Sequence, residues 1–177
     1  EDTLGMFIDC EYPMIATARL SGMMLDYPKL LDKGIGGLRS DLQEKLKEQP
    51  DNNFYKAGIQ CLDIFVDCAS HLQQDARDQM ASADEKRQKE LERICQALEN
   101  IKEKKPGTFH EAMQLFWLFA LLAGVINYGR LDDYLGPYLV ADLDSGRLTD
   151  EEAYRYIHSL WTMIENRRTT CLLYTSD

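Results

Sequence analysis

Apolar residues recur at helical spacing along almost the whole chain, and polar breaks divide them into separate segments. Asp26 stands ahead of Tyr27-Pro28, and Leu30, Leu31, Ile35, Leu38, Leu42 and Leu46 then form one stripe. This predicts a helix capped by Asp26, with proline in its first turn. Pro50-Asp51-Asn52 ends it. A second helix is expected from about Phe54 to Met80, aligning Phe54, Gly58, Cys61, Phe65, Cys68, Leu72 and Ala76. A third, from about Asp84 to Ile101, aligns Leu91, Ile94, Cys95 and Leu98. Between Asp75 and Lys105 eight basic and eight acidic residues interleave, the pattern of a solvated helical hairpin.

The segment from Pro106 to Trp161 departs from this amphipathic style. Thr108 and Glu111 have capping-box spacing, in which the hydroxyl takes an orphan amide of the first turn and the carboxylate reaches back to the cap amide. The run that follows, 112–126, carries Gln114 as its only polar side chain, so protein or lipid must cover every side of it. It is too short for lipid, since a bilayer span takes about 20 apolar residues. A polar loop, Asn127-Tyr128-Gly129-Arg130-Leu131-Asp132-Asp133, comes next. Thr149 and Glu152 form a second capping box, opening a helix that reads to Arg168 with Ala153, Tyr156, Ile157, Leu160, Trp161 and Ile164 on one face. No strand, internal repeat or linker is evident, so the fold class is mainly α and no domain boundary falls inside the chain.

Charge narrows the function classes. With 20 Lys+Arg against 30 Asp+Glu the chain carries a net charge of −10, which repels phosphate backbones and anionic membrane surfaces. Five cysteines without paired short spacings, and no charged-then-apolar leader, point to free thiols in a reducing cytoplasm. His71, His110 and His158 do not pair with each other or with cysteine at ligand spacing, so no metal site is expected. Cys61 and Cys68, seven residues apart, read as two core thiols. The stretch Asp142-x-Asp144-x-Gly146 fails as a calcium loop, because its glycine comes one position early and Ala153 holds the twelfth position.

Several blocks agree in order and spacing with one family. They are Phe54-Tyr55-x-Ala57, Thr108-Phe109-x-Glu111-Ala112-x-Gln114-x-x-Trp117, Gly129-Arg130-Leu131-Asp132-x-x-Leu135-x-Pro137-Tyr138, and Asp142-Leu143-x-x-Gly146-x-Leu148-Thr149-x-Glu151-x-Ala153. Through them the chain resembles the glycyl radical enzymes and their pyruvate formate-lyase (PFL) domain, from roughly Asp26 to Thr170. The resemblance implies a helical shell around a ten-stranded α/β barrel, with residues 1–170 part of a single PFL-type domain truncated at both ends. It also implies thiyl-radical chemistry on a small organic substrate: acyl transfer as in pyruvate formate-lyase, or C–C or C–O cleavage by a lyase or dehydratase. Pyruvate with coenzyme A, a diol, choline, hydroxyproline and an arylacetate all remain open as substrates. The implied cofactor is a protein-based glycyl radical, installed by an S-adenosylmethionine iron–sulfur activase; a homodimer and an anaerobic bacterial source are implied as well.

The family's thiyl Cys sits in a Gly-Cys-x-Glu setting or a Cys-Cys pair, and its radical Gly in an Arg-Val-x-Gly-Tyr segment; this sequence contains none of the three. The expectation is therefore a piece from the N-terminal half of such an enzyme, not catalytic alone and poorly soluble or molten when isolated. A stand-alone acidic helical scaffold is the competing reading. Cys171 to Asp177 departs from the family pattern and resembles translated sequencing adapter, so it is expected to be a non-native tail.

Substrate-binding candidates cluster in the loop. By resemblance Asn127 and Tyr128 occupy a pocket position, and Arg130 and Asp132 border the cavity. The structural alternatives are an Arg130–carboxylate pair and a core aromatic role for Tyr128. Met23 and Met24 stand where many family members carry Gly-His, which weakens a glycerol-dehydratase assignment. Asp26 reads as a helix cap or a pocket residue.

Overall fold

The computed structural model describes residues 24–125 and 127–166. Among these residues it contains six helices: α1 (Tyr27–Glu48), α2 (Asn53–Met80), α3 (Glu85–Ile101), α4 (Phe109–Leu122), α5 (Leu131–Asp144) and α6 (Asp150–Asn166). The helices begin where capping side chains satisfy first-turn amides. Asp26 accepts from Lys29 N at 3.1 Å, Asn52 from Phe54 N at 3.0 Å and Asp84 from Arg87 N at 2.8 Å. The box at α6 is reciprocal, with Thr149 N donating to Glu152 at 3.1 Å and Glu152 N to the Thr149 hydroxyl at 3.2 Å. The box at α4 is not. Thr108 accepts from Glu111 N at 3.2 Å, but the Glu111 carboxylate takes the Gly107 amide at 2.7 Å and the Asn100 side chain at 2.7 Å.

The core forms where α1, α2, α3 and α5 meet α4. Tyr27, Leu31, Ile35, Phe65, Ile101, Leu115 and Phe116 are fully buried there. Tyr27 packs edge-on to Phe116 (5.0 Å between ring centroids) and stacks on Tyr134 (5.1 Å). α1 is broken at Gly34 (φ 64°, ψ 178°), which lets its first part turn against the segment between α3 and α4. At that approach Gly36 N donates to Glu103 O at 3.1 Å. The break leaves the last carbonyls of the first α1 segment without helical partners. Tyr138 supplies one, donating from its hydroxyl to Leu31 O at 3.1 Å.

α2 and α3 form the expected hairpin, tied by Gln73. Its side chain, 4% exposed, donates to Cys95 O at 2.9 Å and to Glu99 at 3.0 Å, and accepts from Lys102 at 2.9 Å. Lys102 and Gln73, both bonding the Glu99 carboxylate, hold it below the usual carboxylate range. The buried line of α2 is Leu62, Phe65, Ala69, Gln73 and Ala76. The expected stripe is therefore rotated: Phe54 and Leu72 are exposed, as is Cys61, so Cys61 is not a core thiol. The reason is Gln73, a polar residue admitted to the interior by its hydrogen bonds, which hydrophobic patterning counts as surface.

Three further corrections follow. The helix in the apolar run stops at Leu122, where Gly124 (φ 68°) turns the chain, and Leu121 and Leu122 are exposed, so the described residues do not cover every side. α5 is a helix the sequence pattern did not assign; it carries Pro137 in its interior, and Asp132 and Asp133 favour its first turn. In α6 only Ala153 and Leu160 are buried, and Trp161, placed on the apolar face by periodicity, is 53% exposed. Arg167, Arg168 and the 171–177 tail lie outside the described residues, as does Met23.

α6 is held to α4 by His110 stacked on Tyr156 (centroids 5.0 Å, planes 8° apart). Burial pushes the His110 imidazole below its ordinary value; Glu111 opposes this and Arg93 adds to it. A histidine kept neutral by the fold contributes stability that is complete above its unfolded value of 6.5 and is lost as pH falls through the lower folded value. The melting temperature is therefore expected to drop below pH 6.5, and less so in His110→Gln. Thermal melts across that range check this; parallel profiles for the two proteins would exclude His110 as the source.

Candidate functional site

The loop between α4 and α5 begins at Gly124, passes the buried Val125, and pairs Asn127 with Met24 through an isolated parallel bridge. Asn127 Oδ1 accepts from Gly129 N at 3.2 Å, an Asx turn that curls the backbone. Gly129 sits at φ 60°, a conformation that favours glycine; a Cβ there would lie 2.4 Å from Met24 Sδ, the end of a flexible side chain that can swing aside. Met24 itself is 60% exposed.

Tyr128 anchors this loop to the core. Its ring lies edge-on to Phe116 at 5.7 Å and 6.1 Å from Trp117. Its carbonyl accepts from the Tyr134 hydroxyl at 2.7 Å. Burial, with Tyr27 and Tyr128 nearby, raises the Tyr134 phenol well above its ordinary value, so it acts as a fixed neutral donor. Arg130 grips Asp132 with two nitrogens, Nη2–Oδ2 at 2.6 Å and Nε–Oδ1 at 3.3 Å. That hydrogen bond lowers the Asp132 carboxyl and raises the Arg130 guanidinium. Both side chains remain largely exposed, at 79% and 70%.

The four expected site residues thus lie on one turn in distinct settings. Asn127, Arg130 and Asp132 present polar groups at the surface, and Tyr128 is the aromatic foot beneath them. The arrangement can donate hydrogen bonds to a carboxylate, sulfonate or hydroxyl from a guanidinium held in one orientation. No metal-ligand cluster of three or more His, Cys, Asp or Glu occurs among the described residues. Asp26 caps α1, and its carboxylate is engaged by Lys29 N.

Sequence reasoning missed two residues that set this geometry. One is Tyr134, whose hydroxyl fixes the Tyr128 carbonyl. The other is Asp142, noted in a failed calcium loop and in a family block but given no role. It is 4% exposed, accepts from Phe109 N at 2.8 Å at the start of α4, and accepts from Arg147 Nε and Nη2 at 2.9 and 2.7 Å. An acid between Leu139 and Leu143 on the inner side of a helix was the available signal.

The helical arrangement and its aromatic-footed Gly-Arg turn define the class: the structure matches a glycyl radical enzyme from Archaeoglobus fulgidus at a TM-score of 0.71, with 26% identity, over 80% of this chain and 20% of that one. The mainly helical fold class expected from the glycyl radical enzyme resemblance is borne out. The profile of the PFL-like family, pyruvate formate lyase-like, matches residues 8–172, and the chain belongs to that family. Curated relatives include the probable dehydratase YbiW of Escherichia coli K12, 28% identical over 89% of this chain and 23% of that protein. Isethionate sulfite-lyase of Bilophila wadsworthia is 29% identical over 77% of this chain and 18% of that protein. The chain thus spans about a fifth of the length of these relatives. No described helix is long and apolar enough to cross a membrane.

Proposed function

We propose that this chain is the part of a longer cytoplasmic glycyl radical enzyme that carries one wall of its substrate cavity, the loop Asn127, Tyr128, Arg130 and Asp132. The observation that supports this is the exposed, doubly hydrogen-bonded Arg130–Asp132 pair on an aromatic foot, within the block where the family resemblance is densest. The relatives' names, dehydratase and sulfite-lyase, favour cleavage of a bond to a hydroxyl or sulfonate group over acyl transfer. Arg130 would then hold an anionic or hydroxyl-bearing end of a small substrate, and Asn127 would offer a carboxamide beside it.

Among the described residues the thiols do not fit the radical-bearing role. Cys61 is exposed on α2, Cys68 is half-buried on the same helix, and Cys95 is buried with its sulfur directed at Gln73 O. In this reading a radical-SAM activase installs the radical on a Gly outside these residues, a thiyl radical abstracts hydrogen from substrate, and the full-length enzyme is a homodimer. The chain's own contribution is binding, orientation and exclusion of water.

The test is anaerobic expression of the whole reading frame with its activase, followed by electron paramagnetic resonance for an organic radical and steady-state kinetics. Arg130→Ala is expected to lower kcat/KM by roughly tenfold or more. It should leave the radical yield and thermal melt near those of the parent, since exposed ion pairs add little to stability. An unchanged kcat/KM would remove this loop from the cavity wall.

A further inference from the structure

A concave surface of about 380 Å³ lies between α3, α4 and α6, on ground that the proposed substrate wall does not use. Trp117, Met113, Leu160 and Met163 supply its apolar lining. The His110 and Tyr156 rings, stacked with nearly parallel planes, add aromatic surface. His110 Nε2 stands 3.3 Å from Gln114 Nε2, so the amide donates and the imidazole accepts, as a neutral ring does. The rim inverts the charge of the chain: Arg87, Arg93 and Arg155 against Glu90 and Glu152, in a sequence of net charge −10.

The three cations differ in what they already hold. Arg87 is engaged by Glu90 at 3.0 Å on its own helix, and Arg93 meets Glu152 across the groove at 3.5 Å. Arg155 has no carboxylate within 4.0 Å among the described residues. A guanidinium at the edge of an apolar, aromatic-sided hollow is complementary to a flat ring bearing an anionic group: the ring stacks and the anion takes two parallel N–H donors. The volume lies within the range of small-ligand sites, about 300–1,000 Å³.

We propose that this groove is a second binding site, taking a small planar organic anion, with Arg155 as the anion-binding residue and the Trp117–Tyr156–His110 surface as the ring seat. This does not depend on the reading of the Asn127–Asp132 loop.

Isothermal titration of the full-length protein that contains this chain with 2-naphthoate, and with neutral 2-naphthamide in parallel, tests it. The acid is expected to bind saturably at one site, roughly tenfold or more tighter than the amide. Arg155→Ala should remove about the same factor, and Arg155→Lys, which keeps the charge without the fork, should restore part of it. Absence of saturation, equal binding of acid and amide, or an affinity unaffected by Arg155→Ala would each overturn the site. Arg130→Ala, outside the groove, is expected to keep the preference for the acid over the amide; loss of that preference would move the binding to the Asn127–Asp132 loop and overturn the site.

Discussion

Replacing Asp142 by Ala is expected to lower stability by about 2–4 kcal/mol, read as a shift in the urea midpoint of the helical signal. The carboxylate sits near the C-terminal end of α5, where the helix dipole disfavours negative charge. Its position is maintained by two outside groups: the Phe109 amide, at the positive end of α4, and the Arg147 guanidinium. Ala leaves the amide buried without an acceptor and the guanidinium without its partner. Arg147 is 53% exposed and can turn to water, so Arg147→Ala should cost less, about 1 kcal/mol. Asp142→Asn keeps an acceptor for the amide and should fall between the two. Equal losses in Asp142→Ala and Arg147→Ala would place the effect in the ion pair and refute the capping account.

The second large effect is expected at the break in α1. Gly34 combines φ 64° with ψ 178°, a region nearly exclusive to glycine, and a Cβ on it would lie 2.6 Å from Lys105 N. Strain of about 1–3 kcal/mol adds to overpacking of similar size, so Gly34→Ala should cost roughly 3 kcal/mol or more. Gly36 has ordinary φ, but its Cβ would come within 2.2 Å of Glu103 O, a backbone atom that cannot swing aside. Gly36→Ala should therefore cost about 2 kcal/mol by steric displacement alone. Gly107, where the nearest atom is the Glu111 carboxylate at 3.6 Å, is the control and should change by no more than about 0.5 kcal/mol. Denaturant midpoints for the three variants give the ranking; a benign Gly34→Ala would mean that α1 does not bend as described.

Much of this architecture was legible because helix starts are written locally. Asp26, Asn52, Asp84, Thr108 and Thr149 stand where their helices begin, and each acts through residues two or three positions away. What was not legible depends on partners far along the chain. Gln73 is buried because Cys95, Glu99 and Lys102 satisfy it, and so the inner side of α2 was misjudged. α5 went unassigned because no cap or apolar stripe marks it locally; it is held, with Pro137 inside it, by tertiary packing of Tyr134, Leu135 and Tyr138. At the candidate site, the residues of the turn were recognisable from the family blocks, whereas the Tyr134 hydroxyl and the Met24 bridge that shape it are contacts no local pattern encodes.

The hydrogen bond from Tyr138 to the Leu31 carbonyl joins positions 107 residues apart. During synthesis α1 emerges ahead of the other described helices, and α2 and α3 can pair beside it as they appear, since their contacts are local. The bent seat of α1 waits for α5. At about 5–20 residues per second that interval is on the order of 5–20 s, during which Tyr27 and Leu31 lack the ring of Tyr134 and the hydroxyl of Tyr138. The first of the described helices to be made is thus among the last to be locked.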